Sequence, residues 1–219
     1  MVLFLCKFFH IVLVFFDVFT IAAIYIVNEQ EDKDMSNRPK ITAVLSKSIQ
    51  YHICPNNDPR IYWAREVTFD YATAYPVRVD FMKFKPVNQT VSGIEKGDFY
   101  CYEVKSSVAD FHSKNGHNFL GDYNYYVMPR EVYEKVQKEI PYFVGVYVPC
   151  GEINDNGYHR LENIRKARRK DRHRPISEML LMMFRSAARD RKTEEIKVTP
   201  VDSQSKTKPE AEDVLDIWK

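Results

Sequence analysis

The sequence predicts an α/β domain, a mixed central sheet covered by helices, on three observations. Short runs rich in β-branched and aromatic residues, bounded by turn formers, read as strands. They lie at Ala64–Tyr71, Val77–Phe84, Phe99–Ser107, Tyr123–Val127 and Tyr142–Val148. Apolar residues at helical spacing separate and flank these runs. The resulting order, helix, three strands, helix, strand, helix, strand, helix, interleaves the two element types as a helix-covered sheet requires. With 219 residues, 45% hydrophobic content, 14 Phe and 14 Tyr, the chain has enough apolar matter for one domain plus appendages. A net charge of +2 argues neither for nor against a polyanionic partner. Cys6, Cys54, Cys101 and Cys150 are scattered without a C-x-x-C, which excludes a zinc framework and a disulfide scaffold and reads as reduced core thiols of a cytosolic protein.

In chain order, residues 1–34 form an apolar extension. Its run from Val2 to Val27 is interrupted by Lys7, His10, Asp17 and Thr20. The run is long enough to span a bilayer. Against this, Asp17 near its middle costs about 2.5–3.5 kcal/mol. The single Lys7 ahead of it and the acidic Glu29–Asp34 behind it would place the body outside the cytoplasm. A signal peptide would need a more basic start and a small-residue cleavage site. A third reading starts the native protein at Met35, because the codons for Glu31-Asp32 can contain GAGGA, a bacterial ribosome-binding sequence, just upstream. The expected location is cytoplasmic, with membrane anchoring through residues 2–27 as the alternative if the Met1 start is used.

The body runs over residues 35–191. Ile41, Val44, Leu45 and Ile49 make a helical stripe, and Pro55–Pro59 is a turn cluster. Lys85–Asp98 reads as a long loop. Ser107 with Asp110 three residues on forms a capping box that starts a helix. Pro129 opens a helix with Val132, Tyr133 and Val136 on its buried face. The Tyr142–Val148 run is continuously apolar, as a central strand would be. His159–Arg174 holds eight Lys or Arg against Glu162 and Asp171, and reads as a solvated basic loop or helix face or as a phosphate-tracking patch. Pro175 opens a last helix with Ile176, Met179, Leu180, Met183 and Ala187 on one face, ending near Asp190. Residues 192–219 are polar and expected to be disordered. The patch Val214-Leu215-Asp216-Ile217-Trp218 offers a docking point for a recruiting protein.

The chemistry-bearing stretch is Val77–Phe111. Residues two apart in a strand share a face, so Glu103 and Lys105 point the same way. Pairing of the two strands would set Asp80 beside Glu103. Two carboxylates with waters suit Mg²⁺, which acidifies a bound water and steadies charge on a phosphoryl oxygen. The bland reading of the same residues is an exposed ion pair on an edge strand. His112 and His117 with Asn115 and Asn118 lack a ββα context and read as a solvated loop.

These residues resemble the PD-(D/E)xK, or restriction-endonuclease-like, nuclease superfamily. Tyr102-Glu103-Val104-Lys105-Ser106-Ser107-Val108-Ala109-Asp110-Phe111 is similar to the signature of MmcB-type DNA-repair proteins and related prophage proteins. Those also continue into a Gly/Asn-rich link and a Tyr-rich strand ending in Pro, here Asn115–Pro129. The likeness covers about 35–190. The superfamily has Pro before its aspartate, and here Val79 precedes Asp80. The resemblance implies a restriction-endonuclease-like sheet and a Mg²⁺- or Mn²⁺-dependent deoxyribonuclease with DNA as partner, in repair or phage biology, and no small-molecule cofactor. Asp80 and Glu103, with the Val104 carbonyl, would bind metal, and Lys105 would assist the attacking water. Many such nucleases add a glutamate from the first helix. Glu66 is the nearest candidate, although it lies on a strand. Ser106 and Ser107 at a helix start, and Arg165, Lys166, Arg168, Arg169 and Lys170, would contact nucleic acid. The alternative is a catalytically inactive DNA- or protein-binding module on the same fold.

Overall fold

A computed structural model describes residues 38–197. The apolar run 2–27, Cys6, the Met35 start and the tail 198–219 lie outside the described residues. A helix, α1, covers 38–53. It is followed by β1 (Tyr62–Phe69), β2 (Val77–Lys85), the short α2 (Val91–Glu95), β3 (Asp98–Val104), the one-turn α3 (Val108–Phe111), β4 (Tyr123–Val127), α4 (Arg130–Val136), β5 (Gly145–Cys150), β6 (Arg160–Arg165) and α5 (Ile176–Lys197). The six strands form one sheet in sequential order. β1, β2 and β3 are antiparallel neighbours, β3, β4 and β5 run parallel, and β6 returns antiparallel to β5. This is the expected α/β architecture, a mixed sheet flanked by helices.

The parallel β3–β4–β5 centre follows from chain chemistry. β4 and β5 are nearly continuous in apolar residues, and the crossovers carry α3 and α4, which lay Phe111, Val132 and Val136 on Tyr126, Met128 and Val146. α1 covers the other face, with Leu45, Ile49 and Ile53 against Phe81, Tyr102, Tyr125 and Val127. Met179, Met182 and Met183 of α5 pack on Val67, Phe69, Val79, Met82 and Phe99. The methionine stripe is therefore core, as its helical spacing implies.

Four expectations need correction. The basic stretch is neither a helix face nor wholly a loop, since Arg160–Arg165 forms the edge strand β6. Arg160 and Glu162 stand exposed along this edge, where water solvates them, whereas Arg165 is half-buried and donates to the Pro141 carbonyl. The Lys85–Asp98 loop holds α2, started by Thr90, whose hydroxyl accepts the Gly93 N–H at 3.1 Å. α5 continues past Asp190 to Lys197, so the polar tail starts later than residue 192. Cys54 and Cys101 are buried free thiols, whereas Cys150 at the end of β5 is exposed.

After β6 the chain becomes a strap over the sheet, fastened to Asp122. That carboxylate is 1% exposed and accepts the Phe99 N–H at 2.8 Å and Arg172 Nη1 at 2.5 Å, with Arg169 Nη2 at 3.4 Å. The Lys170 N–H donates to the Asp122 carbonyl at 2.9 Å. Removing one partner of a buried ion pair leaves the other uncompensated, at a cost of about 3 kcal/mol or more. Asp122→Ala should lower the urea unfolding free energy by about that much. Asp171→Ala, at a side chain 98% exposed, should stay within about 0.5 kcal/mol of the parent protein. Equal urea midpoints for the two variants would remove Asp122 from this role.

Candidate active site

The site lies where β3 ends. Antiparallel pairing of Phe81 with Tyr102 makes Asp80 and Glu103 the next cross-strand neighbours, one step further along. Directly opposed residues have Cβ atoms about 5 Å apart. Asp80 also replaces the β2 backbone as an acceptor, its Oδ2 receiving the Val104 N–H at 2.9 Å. On its other side the β1–β2 ladder skips a rung. Arg65 pairs with Phe81 and Val67 with Val79, and Glu66 between them adopts a left-handed backbone (φ 52°). The side-chain alternation slips with it. Val79 and Met82 enter one core, while Phe81 enters the other. A non-glycine residue in that conformation is strained by about 1–3 kcal/mol, and such residues cluster at functional sites.

Asp80, Glu103, Val104, Lys105 and Ser106 all line one open cavity of about 1130 Å³. Burial pushes the Glu103 carboxyl up to about 9, and the neighbouring Asp80 charge adds to the shift. Asp80 is also raised, chiefly by burial and against the Val104 N–H that favours its ionised form. Lys105 is 2% exposed, and burial lowers its ammonium. Its Nζ donates to the carbonyls of Asn115 at 2.5 Å and Asp110 at 3.2 Å. An ammonium has three donors, so one remains for the cavity.

The loop after α3 closes over this group. A Cβ on Gly116 (φ 73°) would come within 2.9 Å of Glu103 Oε2 and 3.0 Å of Lys105 Nζ, so any other residue would be strained there and would push on these two head groups. His117 pins the loop. Its Nε2 faces the carbonyls of Phe111 and Ser113 at 2.8 and 3.1 Å, and so carries the proton. Its Nδ1 then accepts the hydroxyl of the fully buried Tyr126 at 2.6 Å. Tyr126 is the β4 register partner of Glu103. His117 is thus a wedge holding a wall of the cavity, not the solvated loop residue its polar neighbours suggest. The one sequence sign of this wall is Asn115-Gly116, a turn dipeptide with a positive-φ position.

The other expected residues separate into two groups. Ser107 caps α3, its Oγ accepting the Asp110 N–H at 3.1 Å. Both the N–H and the hydroxyl of Ser106 donate to Asp110 Oδ2, at 2.9 and 3.2 Å. These two serines lock the joint between β3 and α3. Glu66 stands outside the cavity lining and pairs with Arg78 at 2.9 Å. The basic run lies away from the cavity lining, and most of its cations are engaged within the fold. Arg165 donates to the Pro141 carbonyl at 2.8 Å, Arg169 pairs with Asp98 at 3.2 Å, and Lys170 reaches the Phe119 carbonyl at 2.8 Å. Arg168 lies over the Tyr142 ring at 5.8 Å. Lys166 belongs to the same stretch and is likewise absent from the cavity wall. The cavity instead brings in Arg38, Arg78 and Lys114, none of which forms a charge run in the sequence.

Among the described residues no group of three or more His, Cys, Asp or Glu is placed to hold a metal ion, and no helix is long and apolar enough to cross a membrane. At the end of β3, Asp80, Glu103 and the Val104 carbonyl offer two carboxylates and one backbone carbonyl. This is a hard-oxygen set of the kind that holds Mg²⁺ when waters and substrate phosphate complete the shell.

No protein-family model matches the chain, and no curated protein matches it. A solved structure of a protein of unknown function from Silicibacter pomeroyi is similar at 19% identity and a TM-score of 0.44, over 72% of this chain and 91% of that one.

The raised Glu103 carboxyl sets a pH dependence. Between the ordinary value of 4.5 and about 9 the folded protein holds a proton that the unfolded chain has released. Stability in EDTA is therefore highest at the acid end of this window and falls as pH rises through it. Glu103→Gln removes this contribution, while those of Asp80 and Lys105 stay in both proteins. Urea midpoints at several pH values should decline more steeply for the parent than for the variant, and parallel lines would refute the burial of an uncompensated Glu103.

Proposed function

We propose that this chain is a divalent-metal-dependent phosphodiesterase acting on DNA, of the restriction-endonuclease-like kind. The observation that carries the reading is the meeting of Asp80, Glu103 and Lys105 at the wall of one open cavity at the end of β3. A site at the carboxyl end of parallel strands is where α/β sheets bind ligands. Burial of two adjacent carboxylates is costly unless a cation neutralises them, and this is a physical reason for the site to take one. Asp80, Glu103 and the Val104 carbonyl would hold Mg²⁺ or Mn²⁺. When bound, such an ion lowers the pKa of a coordinated water and stabilises charge on a phosphoryl oxygen.

The protein's own groups do the rest. Glu103 would have to give up its proton to hold a cation, so binding would release protons and tighten as pH rises. Lys105, fixed by two carbonyls, directs its third N–H toward a water or a phosphoryl oxygen. Asp80 keeps its orientation through the Val104 N–H. The loop of Gly116 and His117 holds Lys105 and limits access of bulk water. DNA repair or mobile-element biology is the setting this reading favours.

The near-complete burial of Lys105 favours a second reading, a non-catalytic nucleic-acid-binding module in which that ammonium only offsets the two acids. Labelled DNA with Mg²⁺ or Mn²⁺ separates them. The parent protein should cleave, and Glu103→Gln and Lys105→Ala should each lose at least about 100-fold in rate. Cleavage equal in all three proteins would mean a contaminating nuclease. A parent that binds DNA and cuts nothing in either metal is the non-catalytic module.

A further inference from the structure

The cavity reaches beyond the three acid and amine groups, and its outer wall has a chemistry of its own. Arg38 comes from α1, Arg78 from β2 and Lys114 from the loop after α3. With Lys105 they make four cations against the three lining acids Asp80, Glu103 and Asp110. A divalent ion on the acids would leave the concavity at +3. Arg78 rests on Glu66 at 2.9 Å and Arg38 on Asp110 at 3.8 Å. The side chains in these pairs are 29–62% exposed, and ion pairs that open to water are weak and easily exchanged for a phosphate oxygen.

The chain enters this wall at Pro76, and the residue before it is Tyr75. It is 85% exposed, the highest value among the large hydrophobic residues described. It does not hang from a loose loop. Asp70 accepts two hydrogen bonds from Arg174, at 3.2 and 2.5 Å. The Thr73 N–H and hydroxyl both donate to the Asp70 carbonyl, at 2.9 and 2.8 Å. The Tyr75 N–H donates to Thr73 Oγ at 3.2 Å. The following Pro76 narrows the backbone of Tyr75 to extended conformations and itself lines the cavity. The nearby Tyr71 is already occupied, with the Arg185 guanidinium 3.7 Å from its ring centroid. A pinned turn therefore leaves one aromatic ring in water, on the residue that precedes the cavity-lining Pro76. Aromatic rings next to a backbone-tracking cationic groove are how proteins hold unpaired nucleotides, because every base offers a π-face once it is unstacked. In an intact duplex both faces of a base are covered by its neighbours.

We propose that the cavity takes single-stranded nucleic acid, with phosphates on Arg38, Arg78 and Lys114 and an unpaired base stacked on Tyr75. The assignment of the strand's reacting phosphate rests on the phosphodiesterase reading, whereas the binding surface does not.

Fluorescence anisotropy in EDTA, where binding is separated from cleavage, tests this with three labelled probes: a short single strand, its duplex, and a fully abasic strand. The single strand should bind more tightly than the duplex at equal salt. Tyr75→Ser should weaken single-strand binding by about 5- to 100-fold and leave the abasic strand and the duplex unchanged. Arg78→Ala and Lys114→Ala should weaken all three probes and each reduce the salt slope by about 1. Tyr142→Ser, at another exposed tyrosine (72%), should bind every probe as the parent does. Equal affinity for single strand and duplex, or a Tyr75→Ser effect under about twofold, overturns the proposal. Metal-dependent cleavage that ignores Tyr75 would sink this inference and keep the phosphodiesterase. Tyr75-dependent binding by a protein that cuts nothing would do the reverse.

Discussion

Two carboxylates placed side by side where water is scarce repel each other, and the rest of the site is arranged around that repulsion. Asp80 and Glu103 are neighbours because β2 and β3 are antiparallel in one particular register. Burial raises both, and the Asp80 charge makes that of Glu103 harder still to carry. The fold answers in two ways. A backbone N–H from Val104 supports Asp80, and the Lys105 ammonium is held close by two carbonyls. Neither fully compensates Glu103, and that deficit is the physical reason behind the proposal that the site takes a cation.

The scaffold that imposes this register is stiff where it has to be. α1 closes one face of the sheet, and α3 with α4 closes the other. Asp122 and the strap from Arg169 to Arg172 tie the chain after β6 to the start of β3. The left-handed Glu66 opposite Asp80 interrupts the first ladder and lets β2 change which face it offers each core. The strained residue thus sits next to the acid whose direction it sets.

Much of the fold was legible because period-two and helical patterns report burial directly. Five strands, the Ser107 cap of α3 and the methionine face of the last helix follow from side-chain spacing alone. β6 was not legible. Arg160-Leu161-Glu162-Asn163-Ile164-Arg165 has too few apolar residues for a strand signal, since an edge strand needs only one partner and can leave residues such as Arg160 and Glu162 in water. Charge density misled in the same region. A run of arginines suggests a polyanion surface, yet Arg165, Arg169, Arg172 and Arg174 each meet carbonyls or carboxylates of the chain itself. The cations of the cavity's outer wall, Arg38, Arg78 and Lys114, are 36 or more positions apart and form no run.

The sequence by itself determined the element types, the α/β class, and that Glu103 and Lys105 share a face, because those depend on local periodicity and on the alternation of a pleated strand. Tertiary structure decided the rest. The pairing that sets Asp80 against Glu103, the Gly116 and His117 wall over Lys105, and the turn, pinned by Arg174, that leaves Tyr75 in water all join residues far apart in the chain. Their positions follow from strand register, buried hydrogen bonds and closed loops, which local spacing does not encode.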